Sequence, residues 1–136
     1  MTTIQPSTFL RRVLLLDAVS SGAMGVLLLT CSGLLAGLLE LPAELLNEAG
    51  LVLVPFALAV GFLGTRSQLS RLAVWSVIGV NAVWAIDSVV LLFTGWVAPN
   101  LLGHAFVIGQ AGFVAVMAEL EIIGMRKSAA AVPARS

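Results

Sequence analysis

The sequence predicts an all-α membrane protein, a bundle of four transmembrane helices arranged as two tandem helical hairpins. Three observations carry this reading. Hydrophobic residues make up 60% of the chain and charged residues only 10%, against roughly a quarter charged in ordinary soluble domains. Four long apolar runs are separated by short connections, and every Lys and Arg falls at the termini or in one of those connections. Such a composition cannot coat a water-soluble globule but suits a body solvated by lipid. Strands are excluded for these runs, which are too long and lack polar alternation.

Residues 1–12 read as a cytoplasmic N-terminal segment ending in Arg11 and Arg12. The apolar run that follows extends over 13–39 with only Asp17 charged. A signal-peptide core spans about 7–15 apolar residues, so this longer run is expected to be the first helix rather than a cleaved leader. The second helix is expected from 42 or 48 to 65, the third over 72–96 and the fourth over 99–125. Each meets or approaches the roughly 20 residues needed to cross hydrocarbon. Pro42 and Pro99 suit helix starts, where a missing N–H would be unpaired anyway. Glu44 and Glu48 then lie where the helix dipole favours negative charge, and Pro55 predicts a kink. Residues 13–127 form the membrane domain, and 128–136, rich in Ala, reads as a disordered cytoplasmic tail.

Orientation follows from the seven basic residues. Arg11 and Arg12 precede the first helix, Arg66 and Arg71 lie between the second and third, and Arg126, Lys127 and Arg135 follow the fourth. The other two connections carry no Lys or Arg, and one holds Glu40, Glu44 and Glu48. The positive-inside rule places both termini in the cytoplasm, for a multi-pass protein of the cytoplasmic (inner) membrane.

The two halves echo each other. Asp17-Ala18-Val19 through Val26-Leu27-Leu28 and Thr30 matches Asn81-Ala82-Val83 through Val90-Leu91-Leu92 and Thr94. Pro42, Leu45, Leu46 and Ala49 echo Pro99, Leu101, Leu102 and Ala105, and Gly64-Thr65-Arg66 echoes Gly124-Met125-Arg126. Two hairpins of like orientation are expected, related by an axis along the membrane normal. Small residues mark where helices approach: Ala18, Gly22, Gly25, Ser32 and Ala36 on the first, with Gly33 and Gly37 as a GxxxG. Gly50, Ala57, Gly61 and Gly64 do so on the second, and Ala105, Gly109 and Gly112 on the fourth.

Intramembrane polar residues are the candidate functional groups, because an Asp at a helix centre costs on the order of 2.5–3.5 kcal/mol on insertion scales. Asp17 and Glu121 lie near the cytoplasmic boundary, within reach of Arg11, Arg12, Arg66 and Arg126, and ion pairing is their default. Glu119 continues the small-residue stripe of the fourth helix towards the bundle interior, giving an inner-rim candidate of Asp17 and Glu119. Counting depth places Asp87 level with Gln110 on adjacent helices, with His104 further out. Asn81, Asp87, His104 and Gln110 thus form a candidate polar cluster. It reads either as an interhelical clasp or as a site for a proton, a cation or a small polar ligand. Trp75 and Trp96 fit the interfacial belt, and Trp84 fits packing at mid-membrane.

The runs Leu16-Asp17-Ala18-Val19-Ser20-Ser21-Gly22, Asn81-Ala82-Val83-Trp84 and Ala118-Glu119-Leu120-Glu121 resemble those of small four-span bacterial integral membrane proteins of unknown function. The resemblance implies the four-span fold across most of the chain and no activity. Cys31 and His104 are the only residues of their types, so no Cys/His metal site and no cofactor is expected. Zero net charge gives no field for nucleic acid. The expected partners are the lipid bilayer and a second copy or another membrane protein. A non-enzymatic accessory or interaction protein is the first expectation. A small oligomeric proton- or cation-coupled transporter using Asp87 and Glu119 is the alternative. An enzyme using His104 with Asp87 ranks third, for want of a nucleophile or metal set.

Overall fold

The computed structural model describes residues 3–130. In chain order the elements are β1 (Thr3–Gln5), α1 (Thr8–Thr30), α2 (Ser32–Leu39), α3 (Ala43–Gly64), β2 (Leu69–Ser70), α4 (Arg71–Leu91), α5 (Leu101–Lys127) and β3 (Ala129–Ala130). The class is all-α, as the sequence predicts, and α1, α3, α4 and α5 are long and apolar enough to cross a membrane. Much of their apolar surface points outward: Val19 is 70% exposed, Leu58 71% and Ile86 61%. Side chains of that kind at that exposure fit hydrocarbon and not water.

Local chemistry sets the helix ends. Ser7 caps α1, its hydroxyl accepting from the Leu10 N–H at 3.1 Å. The run 13–39, expected as one helix, is instead divided at Cys31, whose φ of −120° and ψ of 22° leave the helical region. Thr30-Cys31-Ser32 gathers short polar side chains that compete for the backbone, and the Thr30 hydroxyl donates to the Val26 carbonyl at 2.7 Å. α2 leaves through Glu40, held in the left-handed region at φ 55°. Pro42 caps α3, which continues as one helix through Pro55. α4 stops at Leu91, short of the expected 96. Leu92, Phe93 and Thr94 bond back to Val89, Val90 and Leu91 in a tightened turn, and Gly95 reverses the chain at φ 81°. Pro99 precedes α5, and Asn100, not the proline, caps it. Arg126 and Lys127 lie in its last turn, where the dipole favours cations.

α1 packs most extensively on α3 and α4 on α5, with α1 and α5 joining the two pairs, while α3 and α4 hardly touch. Glycine makes the first pairing close. A Cβ on Gly25 would meet Val54 and Leu53, and one on Gly50 would meet Leu29 and the Gly25 carbonyl at 2.9 Å. Close backbone approach of this kind is how helices gain contact in lipid. Gly33, Gly37, Gly109 and Gly112 face open space, so the GxxxG and the expected small-residue stripe of the fourth helix are not packing surfaces within this chain.

The core has two parts. Leu10, Leu14, Val60, Val74, Ile78, Ala118 and Met125 fill the end nearest the termini. Leu28, Leu39, Leu41, Leu46, Leu53 and Val107 fill the opposite end. A three-stranded antiparallel sheet in the order β2-β1-β3 closes the terminal end, with Ile4 and Leu69 buried into the core beneath it. The sheet is a feature the apolar reading did not include. Of the segment 128–136, residues 131–136 lie outside those described. Ser128 accepts from the Ser7 N–H at 2.9 Å, and Ala129 pairs with Gln5.

Asn100 holds the far end together. Its Oδ1 accepts from the Gly103 N–H at 2.8 Å, its Nδ2 donates to the Leu38 carbonyl at 2.8 Å and its N–H to that of Leu39 at 3.2 Å. Asn100→Ala keeps only the last of these and is expected to lower unfolding stability in mixed micelles by about 1–2 kcal/mol. A value indistinguishable from the parent protein would remove Asn100 from this role.

Candidate functional site

The central polar constellation takes one residue from each of three helices. Asp17 lies three residues beyond Leu14 on α1, Asn81 three beyond Ile78 on α4, and Glu121 between Ala118 and Met125 on α5. These apolar neighbours all belong to the terminal-end core, so the face that packs also carries the polar groups inward. The Asn81 amide nitrogen donates to Oδ2 of Asp17 and to Oε1 of Glu121, both at 2.8 Å. Oδ1 of Asp17 accepts from the Ser21 hydroxyl at 3.1 Å. Asp17 is 2% exposed, Asn81 3% and Glu121 0%. Both carboxyl groups therefore meet at one amide nitrogen, and Oε2 of Glu121 is buried without a hydrogen-bond partner among the described residues.

A second polar contact lies further from the termini. The Trp84 indole N–H donates to Oε1 of Gln110 at 2.9 Å, and Nε2 of Gln110 donates to the Val107 carbonyl at 3.0 Å. Each of these side chains lines two cavities, as do Met24, Leu53 and Phe106. The larger cavity, about 770 Å³, occupies the gap left where α3 and α4 separate. Its walls are chiefly apolar, with Asp87 the only charged side chain among the described residues that line it. The smaller, about 320 Å³, lies between α1 and α5 and reaches Ser20, Ser21 and Asp17. Trp84 and Gln110 thus sit in the partition between a lateral cleft and a chamber that leads to the carboxyl pair.

The residues singled out from the sequence are redistributed. Asn81, Asp87, His104 and Gln110 do not gather into one cluster. Asn81 turns to the buried acids, whereas Asp87, six residues on, is exposed on the cleft. Gln110 pairs with Trp84. His104 places Nδ1 3.0 Å from the Asn100 carbonyl and lines neither cavity, so it forms no acid–base pair with Asp87. Glu119 is exposed; two residues of helix separate it from Glu121 by more than half a turn, and it is Glu121 that shares the Asn81 amide with Asp17. The expected arginine partners are replaced by an amide and a hydroxyl, while Arg11 donates to the Arg66 carbonyl at 3.2 Å and Lys127 lies 4.9 Å above the Phe9 ring. A signal for Glu121 was present: steps of four and three lead from Gly103 through Val107, Ala111, Val114 and Ala118 to it.

No family model, curated protein or solved structure matches the chain. Fold and site together define an all-α protein of the multi-pass membrane class, with a carboxyl pair buried among its helices.

Proposed function

We propose that this is a non-enzymatic accessory protein of a cytoplasmic membrane that holds an amphipathic bilayer molecule in the cleft between α3 and α4. The cleft itself is the observation that carries this reading. Its volume of about 770 Å³ falls within the range of small-molecule sites, roughly 300–1,000 Å³. Apolar walls of Leu46, Leu53, Val83 and Phe106 suit an acyl chain, and Asp87, Ser88 and Gln110 suit a polar or cationic group at its end. The surrounding bilayer supplies such molecules directly. The positive-inside rule favours cytoplasmic termini, and the two packed helix pairs support the duplicated hairpin read from the sequence.

The test uses Trp84 as the reporter in a protein carrying Trp75→Phe and Trp96→Phe. Phospholipids with brominated chains are expected to quench its fluorescence in reconstituted vesicles. Gly79→Phe, which fills open space beside the cleft, is expected to relieve that quenching. Trp84 emission insensitive to brominated chains would overturn the proposal.

A second reading, proton- or cation-coupled transport, is favoured by the chamber that reaches Asp17. Its acids are then Asp17 and Glu121, in place of Asp87 and Glu119.

A further inference from the structure

We infer that Asp17, Asn81 and Glu121 form a proton-binding site, in which one exchangeable proton is shared between the two carboxyl groups and reaches them through the chamber between α1 and α5. The inference is independent of what occupies the lateral cleft. The Asn81 amide offers two N–H groups, and each is directed at a different carboxyl group. The Ser21 hydroxyl supplies a third, to Asp17. Oε2 of Glu121 has none, and ionised carboxylates only accept. The two carboxyl groups meet at one amide nitrogen, 2.8 Å from each, and a proton carried by either would supply the hydrogen that this set of donors lacks.

Charge leads to the same place. Two ionised acids would put a double negative charge where exposure is 2% or less, and an unpaired buried charge is far costlier than a buried neutral group. The groups that face the pair are Ser21 from α1 and Asn81 from α4. Other charged residues of the packed helices are directed elsewhere: Arg11 to the Arg66 carbonyl, Asp87 to the cleft, and Arg12, Glu119 and Arg126 to the exposed surface. On α3 the acids Glu44 and Glu48 belong to its first two turns, at the far end. No group of three or more His, Cys, Asp or Glu that could hold a metal ion occurs among the described residues. A proton fits the site without displacing any packed side chain.

A route to the pair opens on the side away from the termini. The apolar core of Leu10, Leu14, Ile78 and Met125 and the sheet above it close the terminal end. The chamber of about 320 Å³ reaches Asp17 from the other direction, past Ser20 and Ser21. Proton exchange through that chamber leaves the terminal seal intact.

Infrared difference spectroscopy of the full chain in lipid tests this. At neutral pH the parent protein is expected to show the carbonyl stretch of a protonated carboxylic acid, shifted on exchange into heavy water and lost in Glu121→Gln and in Asp17→Asn. Gly109→Leu, placed where the chamber wall has open space, is expected to slow the deuterium shift without removing the band. Carboxylate bands alone at neutral pH would overturn the inference, as would an acid band that survives in both acid variants. Carboxylate bands that move with sodium or lithium at constant pH would replace the proton by a metal cation. An exchange rate unaltered by Gly109→Leu would overturn the route. Helicity and detergent stability of each variant separate these results from misfolding.

Discussion

Asn81→Leu is expected to lower the unfolding stability of the protein by about 2–3 kcal/mol, the scale for leaving buried polar groups without their partner. The substitution nearly conserves volume, so the core around Ile78 and Ala118 keeps its packing. What is lost is the one nitrogen that donates at 2.8 Å to acids on two other helices. Single interhelical hydrogen bonds in membranes average only about 0.6 kcal/mol, because the separated helices find other partners. In the folded N81L protein, however, Glu121 is 0% exposed with one oxygen already unpartnered among the described residues, and the substitution leaves its other oxygen without a donor as well. The larger estimate therefore applies.

A rescue is expected from a second substitution. In the N81L background, Asp17→Asn returns an N–H donor opposite Glu121 and removes one of the two acids. It is expected to recover part of the lost stability, although the single change Asp17→Asn in the parent protein removes a buried acceptor. Unfolding of the four proteins in one series of mixed micelles gives the coupling directly. Additive effects, or an N81L protein as stable as the parent, would remove the three-residue clasp from the account.

How much of this was legible in the sequence divides along one physical line. Depth is readable, because hydrocarbon thickness fixes where charges can stop, and the four long apolar helices fall where the composition puts them. Breaks inside them are less so: α1 ends at Cys31, where the backbone leaves the helical region, and an apolar run does not record such a local departure. Rotation about a helix axis is the hardest. In water an apolar stripe announces the inward face, but in lipid both faces are apolar. Hence Ala105, Gly109 and Gly112 read as an interior stripe that carried Glu119 inward, whereas that face is exposed and Glu121 is the buried acid. Asn81 and Asp17 were each recognisable as costly intramembrane groups. That they belong to one site depends on the azimuths of three helices, which no single run encodes.

Gly103→Ala is expected to destabilise the protein by about 1–3 kcal/mol, the usual scale for forcing atoms into a filled core. A Cβ at Gly103 would collide with the Leu39 carbonyl oxygen and would stand 2.6 Å from the Pro99 Cβ. The main obstacle is backbone, which cannot rotate aside as a flexible side chain would. It is also committed, since the Leu39 carbonyl accepts from Asn100 and the Leu38 carbonyl from the Asn100 amide. Relief requires the first turn of α5 to move away from the end of α2, which strains both bonds and uncovers the core around Leu39 and Val107. Gly112→Ala supplies the control. Nothing lies within 4 Å of its added Cβ, so helix propensity alone acts there and favours alanine by up to about 1 kcal/mol. Opposite signs for the two substitutions, measured by unfolding in the same micelles, are the expected result. A Gly103→Ala protein as stable as the parent would mean that the α2 exit and the α5 start are not in the close contact described.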